Sequence, residues 1–237
     1  MKITIQRESL QSYEVDLADP TLLEFLNEIK HTQDSSLVYA SGCRSSICGS
    51  CSMRANGREV LACSYKVQEG DLIEPLKNVN VIRDLVVDMD KALAFNAKAK
   101  AWSLVNGEVS LVSQENEKIN EVQSDCILCG SCYSACPVYA VNGEFLGPFS
   151  LTRVWKYVSD VREDDIKEKI DTIQTNGVWD CTLCNECTLV CPQDISSKAD
   201  IEKLRARSVM QGHEDPSYAS FGNNFNSGFG FDGSPVF

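Results

Sequence analysis

Ile3 and Ile5 alternate with polar neighbours, and Tyr13, Val15 and Leu17 do the same beyond a polar turn. A period of two predicts two half-buried strands joined as a hairpin. Asp19-Pro20 can then cap and start a helix, whose apolar positions Leu22, Leu23, Leu26 and Ile29 recur at helical spacing. Beyond about residue 100 the alternation fades. Leu151 to Val161 and Lys198 to Met210 carry helical spacing instead, so the second half should be mostly helical. From residue 212 the chain turns to Gly, Asn, Ser and Phe with little charge and cannot bury a core of its own. The pattern therefore predicts an α+β protein with a mixed domain at 1–100, an all-α domain at 101–211 and a tail at 212–237. The tail is either flexible or docked on a partner through Tyr218, Phe221, Phe225, Phe229, Phe231 and Phe237.

At 237 residues two domains can each bury a core. With 22 Lys and Arg against 34 Asp and Glu, the net charge of −12 repels a phosphate backbone, so nucleic acid is not an expected partner. MKITIQRESL lacks an apolar run of signal length, and nowhere do 18 apolar residues follow one another. The expectation is a chain that neither spans a membrane nor carries its own secretion address. A G-x-G-x-x-G match at Gly228, Gly230 and Gly233 has no preceding strand pattern and is discounted. His31 and His213 stand in polar surroundings, and no nucleophile–base arrangement is persuasive.

The twelve cysteines change the picture. Cys43, Cys48, Cys51 and Cys63 follow the plant-type ferredoxin spacing for a [2Fe–2S] centre. Cys126, Cys129, Cys132 and Cys136-Pro137 form the bacterial ferredoxin run C-x2-C-x2-C-x3-C-P, and Cys181, Cys184, Cys187 and Cys191-Pro192 repeat it. One tight loop aims three thiolates at three corners of a cube, while the fourth cysteine faces away and ligates the other cluster. One set is therefore Cys126, Cys129, Cys132 and Cys191, and the other is Cys136, Cys181, Cys184 and Cys187. If Cys132 and Cys136 share a helix, their rise is ~6 Å and the clusters lie on the order of 10 Å apart. Structural zinc needs no third cysteine at this step, and disulfides suit small secreted chains. Gly42 and Gly49 suit a backbone that must wrap a cluster, and Arg44 either tunes it or is a solvated surface residue.

The stretches CRSSICGSC at 43–51, VIRDLVVDMD at 81–90, CILCGSCYSACP at 126–137, GPFSLTRVWKYVSDVRED at 147–164 and the final cysteine run resemble the iron–sulfur subunit of the succinate dehydrogenase/fumarate reductase family. Without that resemblance, Val81 to Asp90 reads only as an amphipathic linker. The resemblance implies a β-grasp [2Fe–2S] ferredoxin domain followed by a helical ferredoxin domain with two cubane-type clusters. It implies electron relay between a FAD flavoprotein that interconverts succinate and fumarate and a membrane-associated, quinone-linked subunit. The chain would then be a subunit of an oxidoreductase with no substrate site of its own, peripheral on a membrane through its partners, on the cytoplasmic side by default or exported with a signal-bearing partner. An iron–sulfur carrier, or a subunit of another flavin oxidoreductase, is the alternative.

The sequence departs from the common form of that family at Cys184, where a non-cysteine residue normally leaves a [3Fe–4S] cluster. A fourth thiolate favours a second [4Fe–4S] cluster, with a buried Cys184 beside a three-iron cluster as the alternative. Val138, Tyr139, Ala140 and Val141 replace the usual tryptophans, and Thr182 stands where His is frequent. These departures resemble relatives that pair with a cysteine-rich, heterodisulfide-reductase-like subunit.

Overall fold

The computed structural model describes residues 1–105, 107 and 111–216. The Tyr218 to Phe237 aromatics and the glycine match at 228–233 lie outside the described residues. In the first half, strands β1 (Lys2–Gln6), β2 (Leu10–Glu14), β3 (Ser52–Ala55), β4 (Arg58–Leu61) and β5 (Leu72–Glu74) make a sheet in the order β2-β1-β5-β3-β4. β1 pairs antiparallel with β2, setting Ile3 opposite Tyr13, and parallel with β5, setting Ile5 beside Ile73. Helix α1 (Leu22–Thr32) crosses this sheet and buries Leu22, Leu23, Phe25, Leu26 and Ile29 against it. One helix on a mixed five-stranded sheet is the expected β-grasp arrangement.

Two local expectations are corrected. The helix cap is Thr21, whose hydroxyl accepts from the Glu24 amide while Glu24 reaches back to the Thr21 amide. This capping box satisfies two free donors, leaving Asp19-Pro20 just outside the helix. Leu17 lies beyond the end of β2, although Val15 stays buried.

The stretch read as a linker is instead a hairpin of β6 (Asn80–Arg83) and β7 (Val86–Asp88). Leu85 at its turn plugs into the first core, and Asp84 binds the Arg7 guanidinium, which also grips Asp34. With Asp34 so engaged, by Ser36, Tyr13 and Arg7, its carboxyl lies well below the usual range.

Helices follow: α2 (Asp90–Lys98), α3 (Gln114–Lys118), α4 (Glu121–Ser124), α5 (Ser131–Ser134), α6 (Pro137–Val141), α7 (Pro148–Val158), α8 (Ile166–Thr172), α9 (Glu186–Leu189) and α10 (Ser197–Met210). No strand is described after Asp88. Their core is built on Tyr133, which stacks on Phe95, meets Tyr139 edge-on and packs at a tilt on Phe149, and on Leu151, Val154 and Leu204. Ala92, Phe95 and Ala99 belong to this second core, so α2 packs with the helical half. A buried Lys169–Glu163 pair holds α8 to the residue 104 backbone, because Glu163 also accepts the Leu104 amide.

The halves are stitched together by specific bonds. Ser134 donates to Glu59, which flanks the buried Arg54, and the Asn78 amide reaches the carbonyls of Tyr133, Ser134 and Cys136. Gly49 sits so close to Cys129 that an added Cβ would meet Cys129 Cβ at 2.7 Å.

Candidate metal centres

The β3–β4 hairpin brings Cys51, just before β3, beside Cys63, just after β4, because the Ala62 amide bonds the Cys51 carbonyl. The loop from Cys43 to Cys48 curls to aim amides at sulfur. Ser45, Ile47 and Cys48 donate to Cys43 Sγ at 3.3 to 3.4 Å, and Ser46 donates to Cys63 Sγ at 3.3 Å. Arg44 and Ser46 take φ of 61° and 59° to do so, a conformation costly for residues with a Cβ. Hydrogen bonds from Ser50 and the Cys43 amide lower the Cys48 thiol to about 6, whereas burial pushes Cys51 up to about 11. Gly42 is required, since a Cβ there would meet Ser50 Oγ at 2.7 Å and Cys48 Sγ at 2.8 Å. Arg44 is exposed, which fits the solvated alternative.

The two later runs adopt one backbone form. Leu128 and Gly130 in the first have φ of 54° and 82°, and Leu183 and Asn185 in the second have 56° and 75°. Cys184 therefore occupies the same corner of its loop as Cys129 does. Leucine has no local preference for this region, so repeated strain at matched positions marks a loop shaped for what it encloses.

A pocket is lined by Cys126, Cys129, Cys132 and Cys191, together with Thr152 and Ser197. Three of these cysteines come from the first run and the fourth from the second. Cys136 meanwhile feels Cys181 and Cys184 electrostatically, and Cys187 feels Cys181, Cys136 and Cys184. The fold thus gathers Cys126, Cys129, Cys132 and Cys191 around one space and sets Cys136 near Cys181, Cys184 and Cys187, while Cys132 also feels Cys187. Burial raises the thiols of Cys126, Cys132, Cys136 and Cys181, and pushes Cys187 up to about 12. Such thiols release protons only when iron replaces them.

All twelve cysteines are free. Among the described residues no three His, Cys, Asp or Glu side chains converge closely enough to hold a single metal ion. The thiols instead surround spaces, as the corners of a multi-iron cluster must, and the donor set is all sulfur. The residues present therefore fit iron–sulfur clusters and not a mononuclear zinc site.

Two details differ from expectation. Cys132 and Cys136 do not share a helix: α5 ends at Ser134, and Cys136 is the extended N-cap of α6, which starts at Pro137. Proline lacks the amide that a continuous helix would use, so it restarts the helix and turns Cys136 toward the other set. Cys184 is exposed, which removes the reading of it as a buried hydrophobe. Sequence reasoning missed Arg205, whose guanidinium bonds the carbonyls of Val178, Trp179 and Cys181 and stacks on Trp179. It also missed Gln193, which donates to the Ser46 carbonyl and ties the second run to the first cysteine loop.

Comparison with known proteins matches residues 2–94 to the 2Fe-2S iron-sulfur cluster binding domain family and residues 122–195 to the 4Fe-4S dicluster domain family. The chain is 37% identical over 83% of its length to the 8-methylmenaquinol:fumarate reductase iron-sulfur subunit of Wolinella succinogenes, spanning 66% of that protein. It is 34% identical over 83% of its length to the fumarate reductase iron-sulfur subunit of Mycobacterium tuberculosis, spanning 85% of it. A solved chain of the Mycobacterium smegmatis Sdh1 complex in the apo form shares the fold, with a TM-score of 0.79 at 23% identity over 91% of this chain and 98% of that one.

Proposed function

The chain belongs to the family of iron–sulfur subunits of succinate dehydrogenases and fumarate reductases, and from that membership we propose that it relays electrons between a FAD flavoprotein interconverting succinate and fumarate and a membrane-associated, quinone-linked subunit. The observation that carries this reading is the cavity lined by cysteines of both runs. When bound, three clusters supply one-electron steps that no side chain here can perform.

The chain's own residues hold, pack and insulate. Cys43, Cys48, Cys51 and Cys63 hold the [2Fe–2S] cluster, with amides aimed at their sulfurs. Cys126, Cys129, Cys132 and Cys191 hold the first [4Fe–4S] cluster, and Cys136, Cys181, Cys184 and Cys187 the second. Gly49 lets the first cysteine loop's backbone press on Cys129 of the first run, and Gln193 ties the second run to the same loop at Ser46. Tyr133, Val138 and Tyr139 are buried with Cys136 in the helical core, which keeps water from that cysteine. A fourth thiol at Cys184, and Thr182 with Val138 to Val141 in place of a familiar quinone pocket, support an exit to a cysteine-rich subunit. No helix among the described residues is long and apolar enough to cross a membrane, and membership of the family supports attachment through partner subunits. The substrate chemistry is assigned to the flavoprotein. His31 is exposed, and His213 Nε2 lies 2.8 Å from Asp171 Oδ1.

The test is to purify the chain from cells that express its neighbours. The expected result is a FAD flavoprotein in fixed proportion, with succinate or fumarate turnover only in its presence. A stable lone chain with all its clusters and no flavoprotein contradicts the proposal and favours a free carrier.

A further inference from the structure

Asp200 stands on the buried face of α10 and is 1% exposed. Gln123 Nε2 donates to its Oδ1 at 2.8 Å, and Lys203 Nζ lies 3.6 Å from the same oxygen. Its Oδ2 has no hydrogen-bond partner, and neither has the hydroxyl of Thr152, which acts on this carboxyl from α7. Thr152 lines the cavity shared by Cys126, Cys129, Cys132 and Cys191, as does Ser197, one turn before Asp200. Asp200 is thus one side chain away from the first cubane site, with one oxygen buried and unmatched. The two atoms match each other either as a carboxylate accepting from the Thr152 hydroxyl or as a hydroxyl donating to it, so the pair can take up one proton and keep its contact.

The other charges nearby are spoken for. On α7, Arg153 and Lys156 act on Cys126. On α8, Lys169 is paired with Glu163, and on α10, Lys198 is paired with Glu202. On α4 the contact is the neutral Gln123, and on α9 Glu186 is exposed. Lys203 is the one cation in contact with Asp200 among these groups, and its side chain is 47% exposed, so it connects the buried carboxyl to solvent.

We propose that Asp200 is the proton acceptor coupled to reduction of the cluster held by Cys126, Cys129, Cys132 and Cys191, with Thr152 between them and Lys203 leading to solvent. The inference rests on the cluster assignment above. In the balanced step the cluster gains one electron from a one-electron donor, and Asp200 Oδ2 gains one proton from water. Reoxidation returns both. Burial already pushes the Asp200 carboxyl up to about 6, against the pull of Lys203, Gln123 and Thr152. Negative charge arriving beside it raises it further, so reduction draws in a proton at and above that pH.

The experiment is an anaerobic redox titration of the complex over about pH 5 to 9, a range that brackets the raised carboxyl, reading the paramagnetic signal of each cluster. The expected result is a midpoint potential for the first cubane that falls as pH rises, by up to about 59 mV per unit, the one-electron equivalent of a tenfold change. Asp200→Asn should remove that slope and leave the second cubane's potential unmoved. A slope that persists in Asp200→Asn, or its absence in the unaltered protein, overturns the proposal. The unaltered protein also gives a test that no folding defect can obscure. Its reduced-minus-oxidised infrared spectrum should gain a protonated carboxyl band, and a spectrum without one overturns the proposal too. Failure of the cluster assignment is distinct, since Cys191→Ser would then leave the titrated signal intact.

Discussion

The runs at 126–137 and 181–192 share spacing and backbone form but not surroundings. The first is closed in. Gly130 is buried with Met89 Cε where its Cβ would be, 2.6 Å away, and Cys129 packs on Gly49. The second lies open, with Cys184 and Glu186 exposed and Leu189 at 63% exposure. At the αL position one run uses Gly130 and the other Asn185, the two residue types that tolerate it best. Each run is also clamped from elsewhere: Asn78 grips three carbonyls at the end of the first, and Arg205 three at the start of the second. The loop's shape is thus written locally, while exposure is decided by what packs on it.

Substitutions that separate the runs give the largest effects. Cys136→Ser, although it lies in the first run, should abolish the second cubane's signal and spare the first, and Cys191→Ser should do the reverse. Effects confined to the run that carries each substitution would break the crosswise account. Next in size is Gly130→Ala. A left-handed Ala costs about 1–2 kcal/mol, and the flexible end of Met89 must move aside as well. Cluster loss on heating, followed by visible absorbance, should begin well below that of the parent. Arg205→Ala and Asn78→Ala should each cost about 1–3 kcal/mol, because they strand carbonyls that are partly buried. Arg205→Ala should loosen the second cubane first, and Asn78→Ala the contact between the halves. Asn185→Gly should be the mildest, within about 0.5 kcal/mol on an open loop. A large loss there would mean that the Asn185 side chain, and not its φ, is needed.

How much of this was legible depended on range in the chain. The twelve cysteines pointed to clusters because cluster spacing is set by short loops, and helices α7 and α10 came from apolar periodicity. The sheet order, with β5 parallel to β1, depends on pairing across some seventy residues and left no local mark. Val81 to Asp90 looked like a linker because Val81 and Ile82 remain 51% and 67% exposed, and only Leu85 is anchored. The Thr21 cap was hidden by Asp19-Pro20, an equally plausible start two residues earlier. Positive φ at Leu128 and Leu183 could not be read from leucine at all. Arg205 and Gln193 looked like ordinary polar residues, because the carbonyls they bind are distant in sequence. Asp200 carried no signal beyond its place on the inner face of α10.

The measurement that tests the central claim most directly is low-temperature electron paramagnetic resonance of the complex isolated without air, paired with Cys184→Ser. If Cys184 completes a second four-iron cluster, the parent should lack a full-intensity [3Fe–4S] signal and hold about 10 iron atoms per chain, and Cys184→Ser should create that signal. A parent that already shows it at full intensity, unchanged by Cys184→Ser, would contradict the account.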